Sequence, residues 1–169
     1  MTLRLHILES HYQSQSKFSF KSLTSAKRRL EELYQMAVLK YQLTDVYDQL
    51  SFNFKEAAIN IKDLLSNNLK TPEVLAFLSD VTTQAITVGI SKLELNDFQY
   101  FLEKLDQYLG LDLTNVKDIS PKQKELIIKR NKARSEKDWD TSDSIRNELL
   151  DQGIKLNDFE SKSYWYRTL

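Results

Sequence analysis

Residues 120–154 read "SPKQKELIIKRNKARSEKDWDTSDSIRNELLDQGI", and their reading decides how the chain ends. Ser120 is an N-cap residue, Pro121 suits the first helical position, and Gln123 is placed to reach back as the partner of a capping box. The spacing predicts a helix from there to about Lys137. A second, shorter helix follows from about Asp140 to Gln152. Gly153 is placed to cap it in the left-handed conformation, with Ile154 folding back on its last turn. The tail, "IKLND" then "SYWYR", alternates and is aromatic, which predicts a short hairpin or an extended ending.

Upstream, the 169 residues hold three glycines and two prolines, so turns are few and long helices are favoured over strands. The apolar density of Leu3, Leu5, Ile7, Leu8 and Tyr12 predicts a buried helix. Leu23, Ala26, Leu30, Leu33, Tyr34 and Ala37 recur every three or four residues, as in an amphipathic helix whose other face carries Lys27, Arg28 and Arg29. A third helix is expected from about Thr44 to Leu65, with its continuity questioned at Ser51 to Phe54. "KTPEV" predicts a fourth, with Thr71 as N-cap, and a fifth runs from near Asn96 to Leu109 before Gly110. The fold class is therefore mainly α: a helical bundle over 1–115, then a small helical module over 118–169 ending in the hairpin or extended tail.

Composition narrows the function. Hydrophobic residues make up 41% and charged residues 28%, neither a disordered nor a membranous balance. No apolar run reaches membrane-spanning length, no signal-peptide layout appears, and cysteine is absent, so disulfides, thiolate zinc sites and a cysteine nucleophile are excluded. A cytoplasmic protein fits these features. The formal net charge of zero hides a segregation: residues 1–40 carry +4, residues 41–116 carry −6 and residues 117–169 carry +2. In the last segment Lys122, Lys124, Lys129, Arg130, Lys132 and Arg134 face only Glu125, a cluster suited to an anionic partner or to a solvated helix face. His6 and His11 sit five residues apart, poor spacing for a shared metal, and no glycine-rich phosphate loop occurs. Nothing proposes a nucleophile, a base or a metal, so the chain reads as a binding module.

Trp139, between Asp138 and Asp140, has no apolar pattern around it. A protein that reads unpaired bases needs an aromatic plane to stack them, donors and acceptors for their edges, and lysines for the phosphates. Arg134, Trp139, Asp143 and Asp158 supply the first two, and Lys129, Arg130 and Lys132 the third. Each has another use. Trp139 would serve as a staple between two helices, Arg134 as a surface partner of Asp138, Asp143 as a capping partner of Asp140 or a pair with Arg146, and Asp158 as turn chemistry.

Three stretches resemble the C-terminal half of bacterial cysteinyl-tRNA synthetases. They are "LRLHILESHYQSQSKFSFKSLTSAKRRLEELY" near the start, "DLLSNNLKTPEVLAFLSDV" in the middle, and "RNKARSEKDWDTSDSIRNELLDQGIKLND" followed by "SYWYR" at the end. The last is the most specific, because several separated positions agree in order and spacing. The resemblance implies a bundle of the DALR type contacting the inner side of tRNA over 1–115 and an anticodon-binding module over 118–169. It implies that Arg134, Trp139, Asp143 and Asp158 meet a GCA anticodon; the basic helix itself offers Lys129, Arg130 and Lys132 to the tRNA backbone. Gln13 stands where that family usually carries arginine. The family's ATP-binding signatures and zinc ligands do not occur in the sequence, so ATP and zinc are expected only in a catalytic domain or subunit separate from this chain, and a monomer that binds neither membrane nor DNA is the expected state. Two other readings stand beside this one. One is a helical interaction protein docking on a separate catalytic chain, which an exposed apolar patch on the Leu3–Tyr12 helix would favour. The other is a fragment of a related ligase joining cysteine to an amino sugar, which would need no anticodon module.

Overall fold

The computed structural model describes residues 1–44, 52–159 and 162–168. Among the described residues there are seven α-helices and one two-stranded antiparallel sheet, and the chain divides into two compact units, Met1–Val116 and Lys117–Leu169.

The first unit is built from α1 (Thr2–Leu8), α2 (Phe20–Ala37), a 3₁₀ turn (Val38–Tyr41), α3 (Phe54–Ser66), α4 (Thr71–Val88) and α5 (Leu95–Leu109). Helix α2 packs on α1 and α4, and α3 packs on α4 and α5. The inward stripe of α2, Ala26, Leu30, Leu33 and Met36, follows the helical period and is buried along it. Phe54 fills the far end of the core, with ring centres 5.0 Å from Phe98 and 5.6 Å from Phe101. Ser19 and Ser22 close a capping box at the start of α2, and the Asn53 side chain caps α3. Helix α5 ends at Gly110, whose φ of +63° is the left-handed cap that glycine adopts without a Cβ penalty. The chain beyond it is held by Asp106, whose carboxylate accepts from the Leu113 and Thr114 amides and the Thr114 hydroxyl at 2.7–2.8 Å. Tyr34 and Lys40 donate to the carbonyls of Leu111 and Thr114. Burial lowers the Lys40 pKa, with Asp106 opposing the shift.

Several expected boundaries move. Helix α1 stops at Leu8 and buries only Leu5 and His6, leaving Leu3 and Ile7 exposed at 56% and 65% and Tyr12 in the loop beyond. It is an edge helix, not a buried one. His6 contacts Glu9, which also pairs with Arg29 of α2, so this histidine serves packing between two helices. His11 faces the carbonyl of Asn68, and the Tyr12 hydroxyl donates to the Asn68 side chain. Asn68 also donates to Gln13 at 3.4 Å. Helix α3 starts at Phe54, while Thr44 forms a bridge with Ser91; the rest of the expected third helix before residue 52 lies outside the described residues. Thr71 does not cap α4. The helix begins at Thr71 itself, with Pro72 in its first turn and no side chain on its leading amides.

The second unit comprises α6 (Pro121–Ser135), α7 (Trp139–Asp151) and the hairpin β1 (Ile154–Phe159) with β2 (Lys162–Arg167). The capping box of Ser120 and Gln123 opens α6, and Asp138, not Asp140, caps α7 through the Thr141 amide. The two hydrogen bonds from Thr141 to Asp138 lower that carboxyl's pKa. Lys137 takes φ +60° between them, letting the Asp138 amide return to the carbonyl of Ala133 at 2.8 Å. Gly153, at φ +74°, turns the chain from α7 into β1, and Ile154 pairs with Arg167 to start the ladder. Alternation along β1 puts Ile154, Leu156 and Asp158 on one face. Ile154 and Leu156 are buried, and so are Ile127, Ala133, Ile145, Leu149, Tyr164 and Trp165, which form the small core. Burial raises the Tyr164 pKa.

Candidate nucleic-acid interface

The basic run on α6 divides between two faces. At 100° per residue Arg130 and Arg134 lie close together on one side, while Lys129 and Lys132 turn to the other and are exposed. Lys132 lies 3.9 Å from Glu136, a weak surface pair. Arg130 is the exception to a solvated run. Its side chain is fully buried, so it is not a free phosphate contact as the sequence had suggested.

The Arg130 guanidinium lays its two terminal nitrogens on the two oxygens of Asp158, each at 2.8 Å, in the fork geometry that arginine offers a carboxylate. Ser163, directly across the ladder from Asp158, brings its hydroxyl to 2.6 Å from Asp158 Oδ1. The same hydroxyl accepts from Arg130 at 3.1 Å. Arg134 reaches Asp158 Oδ2 at 3.3 Å from the last turn of α6. Two hydrogen bonds from Arg130, the Ser163 hydroxyl that Asp158 shares with Asn131, and the charge of Arg134 therefore converge on this carboxylate. Hydrogen bonding from Arg130 is the largest reason the Asp158 pKa falls from 3.8 to about 2; burial opposes the shift, and Ser163 and Arg134 add to it. The carboxyl is ionised at neutral pH, leaving the two arginines and one aspartate a net positive cluster.

Across the Glu136–Asp138 turn, Trp139 is the first residue of α7 and is 55% exposed. That exposure removes the staple reading, because a tryptophan pinned between two helices would be covered. Asp143 lies one turn further on and is exposed on the same side, with no ion pair among the described residues. It is neither a capping partner, since Asp138 caps the helix, nor the mate of Arg146. The structure thus brings Arg134 to Asp158 and aligns Trp139 with Asp143, while Lys129 and Lys132 sit on the opposite side of α6. Ser163 was the residue the sequence reading missed. Its signal was the alternation of "KSYWYR" opposite "IKLNDF", which becomes legible only once the register is known.

Unit 1 carries shallow surface hollows among the described residues. One of them, about 510 Å³, is lined by Phe52, Asn53, Glu56, Ala57, Asn60 and Phe77 among others. Among the described residues no group of three or more potential metal ligands comes together, and no helix is long and apolar enough to cross a membrane.

Comparison with known proteins agrees with the motifs at both ends. The chain is 30% identical to the cysteine–tRNA ligase of Shewanella baltica (strain OS223) over 97% of its own length and 37% of that protein. It is 27% identical to the cysteine–tRNA ligase of Sulfurimonas denitrificans over 96% of itself and 37% of the relative. With that of Thermodesulfovibrio yellowstonii the identity is 28%, covering 96% and 39%. No protein-family model matches the chain. It spans little more than a third of the length of the curated relatives it matches. Along almost its whole length the chain is similar to a stretch of the cysteine–tRNA ligases.

Proposed function

We propose that this chain binds tRNA and that its second unit reads the anticodon, with GCA as the preferred sequence. The observation that carries this reading is Trp139, more than half exposed at the head of α7 and separated by the Glu136–Asp138 turn from the end of α6 that bears Arg134. A large aromatic face left in water beside charged groups suits a base removed from its stack, which is worth about 1–3 kcal/mol per stacked base. Arg134 and Asp143 offer donors and acceptors for base edges, and Asp158 holds Arg134 in place. Lys129 and Lys132, on the outer side of α6, hold phosphates without reading sequence. Unit 1 contacts the rest of the tRNA.

Aminoacylation, with its ATP and zinc, is the work of a catalytic region outside the matched stretch. The chain itself is a monomer that works in the cytoplasm. The exposed apolar residues of α1, Leu3 and Ile7, suit contact with such a region and equally suit a separate docking partner, so they do not favour an interaction protein over a tRNA-binding one. An amino-sugar ligase has no use for an exposed stacking platform, and that reading is set aside.

The test is Trp139→Ala. Because the side chain is exposed, the variant keeps its fold while affinity for a GCA-bearing tRNA falls about 5- to 150-fold, the equivalent of one lost stack. Undiminished affinity in a folded variant would refute the assignment.

A further inference from the structure

The buried Arg130–Asp158 pair is an odd device for so small a core. Unit 2 has little apolar material, and taking two charges out of water is costly unless their pairing is close to ideal. The pairing is not complete. The Nε of Arg130 is buried without a partner, so the guanidinium gives up one donor to hold its position. An apolar pair of similar volume would fill the same space. What the ionic pair adds is a carboxylate fixed at the edge of the hairpin, with both oxygens oriented.

The donors on that carboxylate are not equal. Arg130 is wholly enclosed and sits at 2.8 Å on each oxygen, and Ser163 sits at 2.6 Å on Oδ1. Arg134 is looser at 3.3 Å, and a third of its side chain is exposed. Asp158 itself keeps a fifth of its side chain at the surface. The inner donors therefore set the carboxylate, and the outer one forms the face that a ligand meets. Any base that uses Oδ2 competes with Arg134, which is held there by charge at 3.3 Å. Any base that uses Arg134 meets a guanidinium kept beside Asp158 by their opposite charges.

We propose that Arg130 is the positioning residue for base recognition: from inside the unit it fixes Asp158, so that Asp158 and Arg134 stand as one preset polar edge for an unpaired base. The proposal rests on the anticodon reading given above. It differs from the phosphate role that the basic run suggests, and the two roles have different signatures. A phosphate contact affects all RNA sequences alike and contributes about one unit to the salt slope of binding. A positioning residue changes discrimination at a particular base and leaves the slope alone.

The experiment uses the full chain with Arg130→Lys and, separately, Ser163→Ala. Each is titrated with a tRNA transcript bearing GCA and with transcripts changed at each anticodon base, across a series of salt concentrations. Lysine keeps the charge but has no fork to hold both oxygens. The expected result is a loss of preference of about fivefold or more at one base, with an unchanged salt slope. Preference retained in folded Arg130→Lys, equal weakening toward every transcript, or a slope lowered by about one with preference intact would each overturn the proposal. If Arg130→Lys does not fold, Ser163→Ala decides. It removes one hydroxyl from Oδ1 and leaves Arg130 in place, and it should weaken preference at one base; unaltered preference would overturn the proposal. A wild-type chain with no preference at any base would remove the anticodon reading itself, and this proposal with it.

Discussion

Replacing Asp158 by asparagine should destabilise the second unit by about 3 kcal/mol at pH 7. The size follows from the burial of Arg130. Its charge is fully enclosed, and Asp158 is its counter-charge at 2.8 Å. Asparagine leaves one oxygen to accept and puts an amide, itself a donor, against the other guanidinium nitrogen. Removing one partner of a buried pair costs about 3–5 kcal/mol, and the partial exposure of Asp158 places the effect at the lower end. The pH dependence sharpens the test. The Asp158 pKa is depressed in the folded state to about 2 from an ordinary 3.8, so its ionisation stabilises the fold above pH 3.8 and that contribution is lost as pH falls through 2. The shift corresponds to about 2 kcal/mol, most of the predicted effect. The gap between wild type and Asp158→Asn should therefore be constant from pH 7 to pH 5 and shrink toward pH 2. Urea unfolding followed by tryptophan fluorescence reads this directly, because both tryptophans, Trp139 and Trp165, lie in the second unit. A gap under about 0.5 kcal/mol at pH 7, the scale of an ordinary surface substitution, would refute the reasoning. So would a large gap that ignores pH.

Three further outcomes follow from the same geometry. Asp106→Ala strips three hydrogen bonds from the segment after α5 and should cost about 2 kcal/mol, read as faster amide exchange at Leu113 and Thr114. Ser120→Ala removes half of the capping box at α6 and should cost about 1 kcal/mol in urea unfolding of the second unit. Lys129→Ala with Lys132→Ala should leave base preference intact while lowering the salt slope of tRNA binding by about two, since both lysines are exposed on the side of α6 away from Arg134.

Local chemistry was legible in the sequence where one short motif carried it. Ser120, Pro121 and Gln123 foretell the start of α6, and Gly110 and Gly153 foretell two chain reversals, because a cap or a left-handed residue needs no tertiary partner to act. Thr71 misled because threonine in front of proline is a strong cap signal, yet here it is already inside the helix. The apolar density of α1 misled for another reason. Hydrophobic content says nothing about which face finds a partner, and Leu3 and Ile7 find none among the described residues. At the candidate site, residue types and spacing pointed to Arg134, Trp139, Asp143 and Asp158, and the family resemblance picked out the same four. The role of Arg130 stayed hidden inside a run of bases, since only the packing of α6 on the hairpin separates the buried arginine from its exposed neighbours.

The central claim is that the second unit reads an anticodon, and the most direct measurement is titration of the wild-type chain with a GCA-bearing tRNA transcript and its anticodon-altered counterparts at one fixed salt concentration. Tryptophan fluorescence is the readout, and the signal can be assigned, because Trp165 is buried while Trp139 faces solvent. The account predicts quenching of Trp139 with clear preference for GCA, each changed base costing about 1–3 kcal/mol. Equal affinity for all transcripts without quenching would contradict it, leaving only contacts that read no sequence to hold RNA.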